Sequence, residues 1–174
     1  MVTINAAFRT RDGGHVSLGE CQAELPRLLG DATLDPWFLL MRLVITGEDP
    51  EEGTVAGKLT VLDDFEPMIQ NLCLKSIPVL VGGDEYRYDY WAQRGELRFV
   101  PDGDLVTVTG EDGIEMAPVT FARRALAEAL TGFAGTALRF MAQLADADER
   151  YDAGALPYFR QLAGEAETAL TATS

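Results

Sequence analysis

Histidine is nearly absent from this chain, cysteine is scarce, and acidic residues outnumber basic ones two to one. A single imidazole, His15, leaves no histidine pair at metal-ligand spacing, so the familiar zinc hydrolase patterns are missing. The two cysteines, Cys21 and Cys73, sit in no CxxC or Cys/His arrangement. That removes zinc ribbons and thioredoxin-like redox motifs, and both thiols are expected to be buried and inert. Neither GxSxG, GxGxxG nor GxxxxGK[ST] occurs, so no nucleophile elbow or phosphate cradle is written locally. The Gly13-Gly14 and Gly82-Gly83 doublets read as turns. Long apolar runs are lacking too. The longest, over residues 37–45, is broken by Arg42 and falls far short of the roughly 20 residues that cross a bilayer. No basic start leads into an apolar core over residues 1–18, so a cytosolic protein is expected.

What is present in excess is negative charge. Against 14 Lys and Arg stand 28 Asp and Glu, a net of -14. The excess is uneven: residues 1–42 carry a net -1, residues 43–118 carry -11 and residues 119–174 carry -2. A surface of that sign repels nucleic-acid phosphates and anionic membranes and speeds encounter with basic partners. Solubility or salt adaptation would also produce an acidic chain, although less unevenly.

At 174 residues the chain is the size of one domain with its own core. Residues 85–109 give the clearest structural pattern. Tyr86, Tyr88 and Tyr90 share one side of an alternating run whose other side holds Glu85, Arg87 and Asp89. Leu97 with Phe99, and Val106 with Val108, continue the apolar face across two glycine-bearing turns, which predicts an antiparallel meander. Upstream, residues 2–8 and 16–18 predict a hairpin, and residues 19–29 a short helix weakened by Pro26. The apolar run 37–45 predicts a strand buried on both faces, followed by an acidic loop at 47–53 and a returning strand at 55–62. Asp63 is placed as the cap of a helix with Glu66 three residues on, ending near Pro78, with residues 79–83 extended beyond it. A long helix is predicted from Pro118 to about Ala145, bending or closely packed at Gly132 and Gly135, with a shorter one at 156–170. The expected fold is α+β: a largely antiparallel sheet of about five to seven strands, helices on one face, and a long C-terminal helix.

No cofactor or metal is expected. Asp146, Asp148, Glu149 and Asp152 fail the EF-hand register and read as a solvated helix end. His15 and Ser17 would share one face of a strand, but nothing local brings them a third partner. Among the aromatics, Trp91 falls on the side of Glu85, Arg87 and Asp89 and is the large ring most exposed among carboxylates, which suits an anchor for a partner.

The run YRYDYWAQRGELRFVPDGDLVTVTG followed by VTFARRALAEAL resembles the sheet-then-helix segments of small acidic bacterial immunity proteins, which neutralise the toxins of rival or sister cells. The resemblance covers about the C-terminal half and rests on pattern and charge. It implies a cytosolic, non-catalytic inhibitor. The candidate surface for a basic protein partner, a toxin among them, is Asp63, Asp64, Glu66, Glu85, Asp89 and Trp91, extended by the acidic loop at 48–52. Two other classes stand beside it: a DNA-mimicking inhibitor of a nucleic-acid enzyme, and a small hydrolase with a nonlocal carboxylate or His15-centred site.

Overall fold

The computed structural model describes residues 1–48 and 55–172. Strand β1 (Val2–Arg9) turns back through the glycine doublet into the short β2 (His15–Ser17), paired antiparallel as expected. Ser17 then caps helix α1 (Leu18–Gly30): its hydroxyl accepts the Glu20 amide at 3.2 Å, and the Glu20 carboxylate accepts the Ser17 amide at 3.0 Å. Pro26 does not end this helix. The backbone kinks at Glu24, φ -122°, and the helix resumes with the proline in its next turn.

Strands β3 (Leu40–Glu48) and β4 (Val55–Asp64) complete a four-stranded antiparallel sheet in the order β2-β1-β3-β4. The doubly buried strand expected at 37–45 is corrected here. It begins at Leu40, and its burial alternates: Met41, Leu43 and Ile45 are buried while Arg42 is exposed. One face of the sheet therefore meets the core and the other meets solvent. Most of the acidic loop expected at 47–53 lies outside the described residues.

After Asp64 the chain becomes helical through α2 (Phe65–Pro67), a π-helical stretch (Met68–Lys75) and α3 (Ser76–Gly82). Asp64, not Asp63, occupies the cap position, and its side chain makes no capping bond. Nor does Pro78 stop the helix, which runs on through the residues expected to be extended. The change from π to α spacing at Ser76 already offsets the hydrogen-bond ladder where the proline lacks its N–H, and the Ser76 hydroxyl donates to the Leu72 carbonyl at 2.6 Å. Gly83, at φ 86°, closes the helix in the left-handed conformation.

The meander forms as β5 (Tyr86–Asp89), β6 (Glu96–Asp102) and β7 (Leu105–Glu111), but in a sheet of its own. Residues placed at the start of the long helix instead make a fourth strand, β8 (Val119–Ala122), where Phe121 pairs with Val106 and is buried. Valine, threonine and phenylalanine in succession suit a pleated surface better than a helical turn. Among the described residues the architecture is thus α+β with eight strands in two four-stranded antiparallel sheets, not one sheet of five to seven. Helix α4 (Arg123–Ala147) passes Gly132 and Gly135 as one helix, and α5 (Leu156–Ala172) follows a 3-10 turn. At Gly132 a Cβ would meet nothing within 4 Å, so close packing does not explain that glycine.

One core joins both sheets and the helices. Phe8 of β1, Phe65 of α2 and Phe140 of α4 form a ring cluster with centroids 5.1 to 5.9 Å apart. The sheets approach closely where Gly57 faces β8. A Cβ there would stand 2.6 Å from the Val119 Cγ1, so the contact requires glycine.

Candidate functional site

Asp63, expected on the partner surface, is fully buried. It extends the inward series Leu59 and Val61 on β4, so the alternation of the strand carries it under the second sheet. Its carboxylate accepts the Tyr88 hydroxyl, the Trp91 amide at 3.0 Å, the Ala92 amide at 2.5 Å and the Asp64 amide at 2.9 Å. Burial, then this bond, pushes the Tyr88 phenol far up. Asp63 is therefore removed from the contact surface; it ties the end of β4 to the loop after β5. A buried carboxylate with four donors is held by the tertiary structure and offers nothing to a partner.

That tie places Trp91. The ring lies beyond the end of β5, not on the strand face, and is 66% exposed. Its loop is anchored at the residue preceding Asp64, so Asp64 and Trp91 belong to one end of the molecule. Asp64 is exposed, and burial followed by the Asp63 charge raises its pKa. Glu66 is half-buried beside it.

Two further aromatics stand at this end, and the sequence reading missed both. Trp37 is 66% and Phe38 80% exposed, in the connection between α1 and β3. Asp35 builds the turn that projects them: its side chain accepts the Trp37 amide at 3.1 Å, its carbonyl accepts the Phe38 amide at 3.0 Å, and Arg11 holds it at 2.7 Å. The Asp35-Pro36 dipeptide was the available signal for a turn, and the apolar run following it obscured that signal. Leu40 pairs with Asp64, which sets this turn beside the α2 start.

Between them lies a cleft of about 410 Å³, walled by Pro36, Trp37, Phe38 and Pro67 and bearing Asp64, Glu66, Asp152, Arg150 and Tyr151. Arg150 is held by Asp148, with Nε–O distances of 2.8 and 3.0 Å, and it keeps the Asp148 carboxyl down at about 2. Tyr151 is 7% exposed, and its hydroxyl, sealed from solvent, has no hydrogen-bond partner, the one such side-chain atom among the described residues. Burial and then the Glu66 carboxylate raise its pKa, yet the two side chains stop short of hydrogen-bond geometry.

Glu85 and Asp89 lie elsewhere, on the outer face of the second sheet. Glu85 is engaged by Arg98 at 2.7 Å and Arg87 at 3.2 Å, and the Arg98 bond draws its pKa down. Asp89 pairs across β5 and β6 with Glu96 and is exposed. The six expected residues thus divide into a buried joint (Asp63), a cleft end (Asp64, Glu66 and Trp91) and a sheet face (Glu85 and Asp89).

His15 is exposed on β2, and the Ser17 hydroxyl is occupied by the α1 cap. Both cysteines are buried, which pushes the Cys21 thiol up to about 12 and Cys73 higher. Among the described residues no group of three or more His, Cys, Asp and Glu side chains is placed to hold a metal, and no helix is long and apolar enough to cross a membrane. Comparison with protein-family models, with curated proteins and with solved structures gives no significant match, so the chemistry of this cleft end stands on its own geometry.

Proposed function

We propose that this chain is a non-catalytic, cytosolic protein-binding module that docks a basic partner through the end of the molecule bearing Trp37, Phe38, Trp91, Asp64 and Glu66. The observation that carries this reading is the exposure of three large aromatics, Trp37 and Phe38 from one loop and Trp91 from another, at the end that bears the Asp64 and Glu66 carboxylates. Aromatic anchors rimmed by charge are the composition of energetic hot spots, and soluble proteins rarely expose such rings together without use. The net charge of -14 adds steering toward a cationic surface. The finer form of the proposal is an immunity-type inhibitor that covers the working surface of a toxin.

The DNA-mimic reading asks for carboxylates at phosphate-like spacing. On the second sheet they alternate with Arg87 and Arg98 at ion-pair distance, which favours the protein-docking reading over it. The test is kinetic. A basic protein recovered with this chain from its own cell should associate at a rate that falls steeply with added salt and dissociate faster from Trp37→Ala and Trp91→Ala. Association indifferent to salt and to both substitutions would sink the proposal.

A further inference from the structure

Three independent features meet in the cleft beside α2. Its walls are aromatic, its carboxylates outnumber its cations, and it contains a sealed phenol without a partner. Asp64, Glu66 and Asp152 face one guanidinium, Arg150, which is already satisfied by Asp148 outside the lining. The potential inside is therefore negative. An apolar pocket with negative potential and an indole wall recognises a cation whose body is greasy, since the ring face attracts positive charge and the carboxylates neutralise it.

Among such cations the guanidinium fits better than an ammonium. It is planar, so it stacks on Trp37, and it presents a fork of donors that two neighbouring carboxylates can accept together. It is also more weakly hydrated, which lowers the cost of leaving water for a partly covered cleft. A volume of about 410 Å³ accommodates a guanidinium with its alkyl stem. A divalent metal would gain nothing from the indole and phenyl walls.

The Tyr151 hydroxyl is the second observation pointing to a ligand. A donor shut away from water and left unpaired is costly, and proteins rarely keep one without a reason. Here it lies against Glu66 without closing the bond. A cation holding Glu66 from the open side would fix the carboxylate and let the phenol donate to it.

We infer that this cleft seats an arginine side chain of the basic partner, with the guanidinium stacked on Trp37 and forked by Asp64 and Glu66. The inference rests on the protein-binding reading and gives that partner its anchor. Its test uses the intact chain and N-acetyl-arginine methylamide as the probe, followed by the indole N–H resonances in NMR. There are two tryptophans, assigned through Trp91→Phe. The Trp37 signal should shift saturably and the Trp91 signal should not. Glu66→Gln should weaken the probe about tenfold. The lysine analogue should bind more weakly, and the uncharged citrulline analogue should not saturate.

No saturable shift at Trp37, an equal response to citrulline, or indifference to Glu66→Gln would each overturn the inference. Asp64→Asn serves as the second variant should Glu66→Gln fail to fold. The two proposals fail separately. If the recovered partner keeps its salt-dependent association with Glu66→Gln while the arginine probe does not bind, the anchor is wrong and the docking reading survives. If the probe binds but association with the basic protein is indifferent to salt, the docking reading falls and a site for small guanidinium compounds remains.

Discussion

The two sheets treat their charges in opposite ways. On the outer face of the first, Arg9, Arg42 and Lys58 are exposed and make no ion pair among the described residues. On the outer face of the second, Arg87 and Arg98 are both claimed: Arg87 by Glu85 and Glu96, Arg98 by Glu85 and Glu111. Register accounts for the pairing on the second sheet. Across β5, β6 and β7 one row is Asp89, Glu96 and Glu111, and the next is Arg87, Arg98 and Thr109, so opposite charges sit diagonally within reach. In the first sheet, Arg42 lies directly between Ala7 and Leu62 and Lys58 directly opposite Thr46; Asp64 and Glu48 stand diagonally from them but form no ion pair with them. On the strands of the second sheet both arginines are paired and carboxylate is in surplus, while the first presents cations on a protein of strongly negative net charge. Net charge by stretch of sequence therefore does not describe either face.

The largest test of this contrast acts where the sheets are joined. Asp63→Ala strands the Tyr88 hydroxyl and three amides at the joint and should lower unfolding free energy by about 3 kcal/mol, read from urea denaturation. It should also speed hydrogen exchange at the Trp91 and Ala92 amides. A loss below the error of the extrapolation would mean that Asp63 is not the tie described. Of intermediate size is a paired comparison: Arg98→Gln should lower the urea midpoint measurably and become milder in high salt, whereas Arg42→Gln should leave the midpoint nearly unchanged. Equal effects would remove the distinction between the two faces.

The smallest effect is a slope in pH. Glu96 has a raised pKa, first from burial and then from the neighbouring Glu111 carboxyl, with Arg87 opposing. A carboxyl raised on folding binds its proton more tightly in the native state. Its contribution to stability is fully present below the ordinary glutamate value and is lost as pH rises through the raised one. Glu85 and Asp148, whose pKa values are lowered, act in the other direction. The informative quantity is thus the difference between parent and Glu96→Gln, which should lose the gain on mild acidification. Superimposable pH profiles would show that the row of carboxylates shares no proton.

How far the residues alone revealed this arrangement depends on the range of the forces involved. The meander, the tyrosine face and the amphipathic helices were legible because alternation and 3.6-residue periodicity are written locally. Trp37 and Phe38 were misread because an apolar run looks the same in a buried strand and in a projecting turn, and only the Asp35 bonds distinguish them. Residues 119–122 were given to the helix because their apolar positions continue its stripe, whereas their partner strand lies more than ten residues away. Of the cleft, Asp64 and Glu66 were named in advance as partner-binding residues. Tyr151 and the aromatic wall were not, since they arrive from opposite ends of the chain.

By itself the sequence determined the class of fold, the sign of the charge, the inert thiols and the tyrosine face, all of which follow from composition or from neighbours a few residues apart. The tertiary structure alone decided that the strands divide into two sheets, that Asp63 turns inward while Asp64 turns out, and that three exposed rings collect around carboxylates at one end. Those outcomes depend on which distant segments pair, and the hydrogen bonds that fix them, such as Asp63 to Trp91, link residues that local periodicity cannot relate.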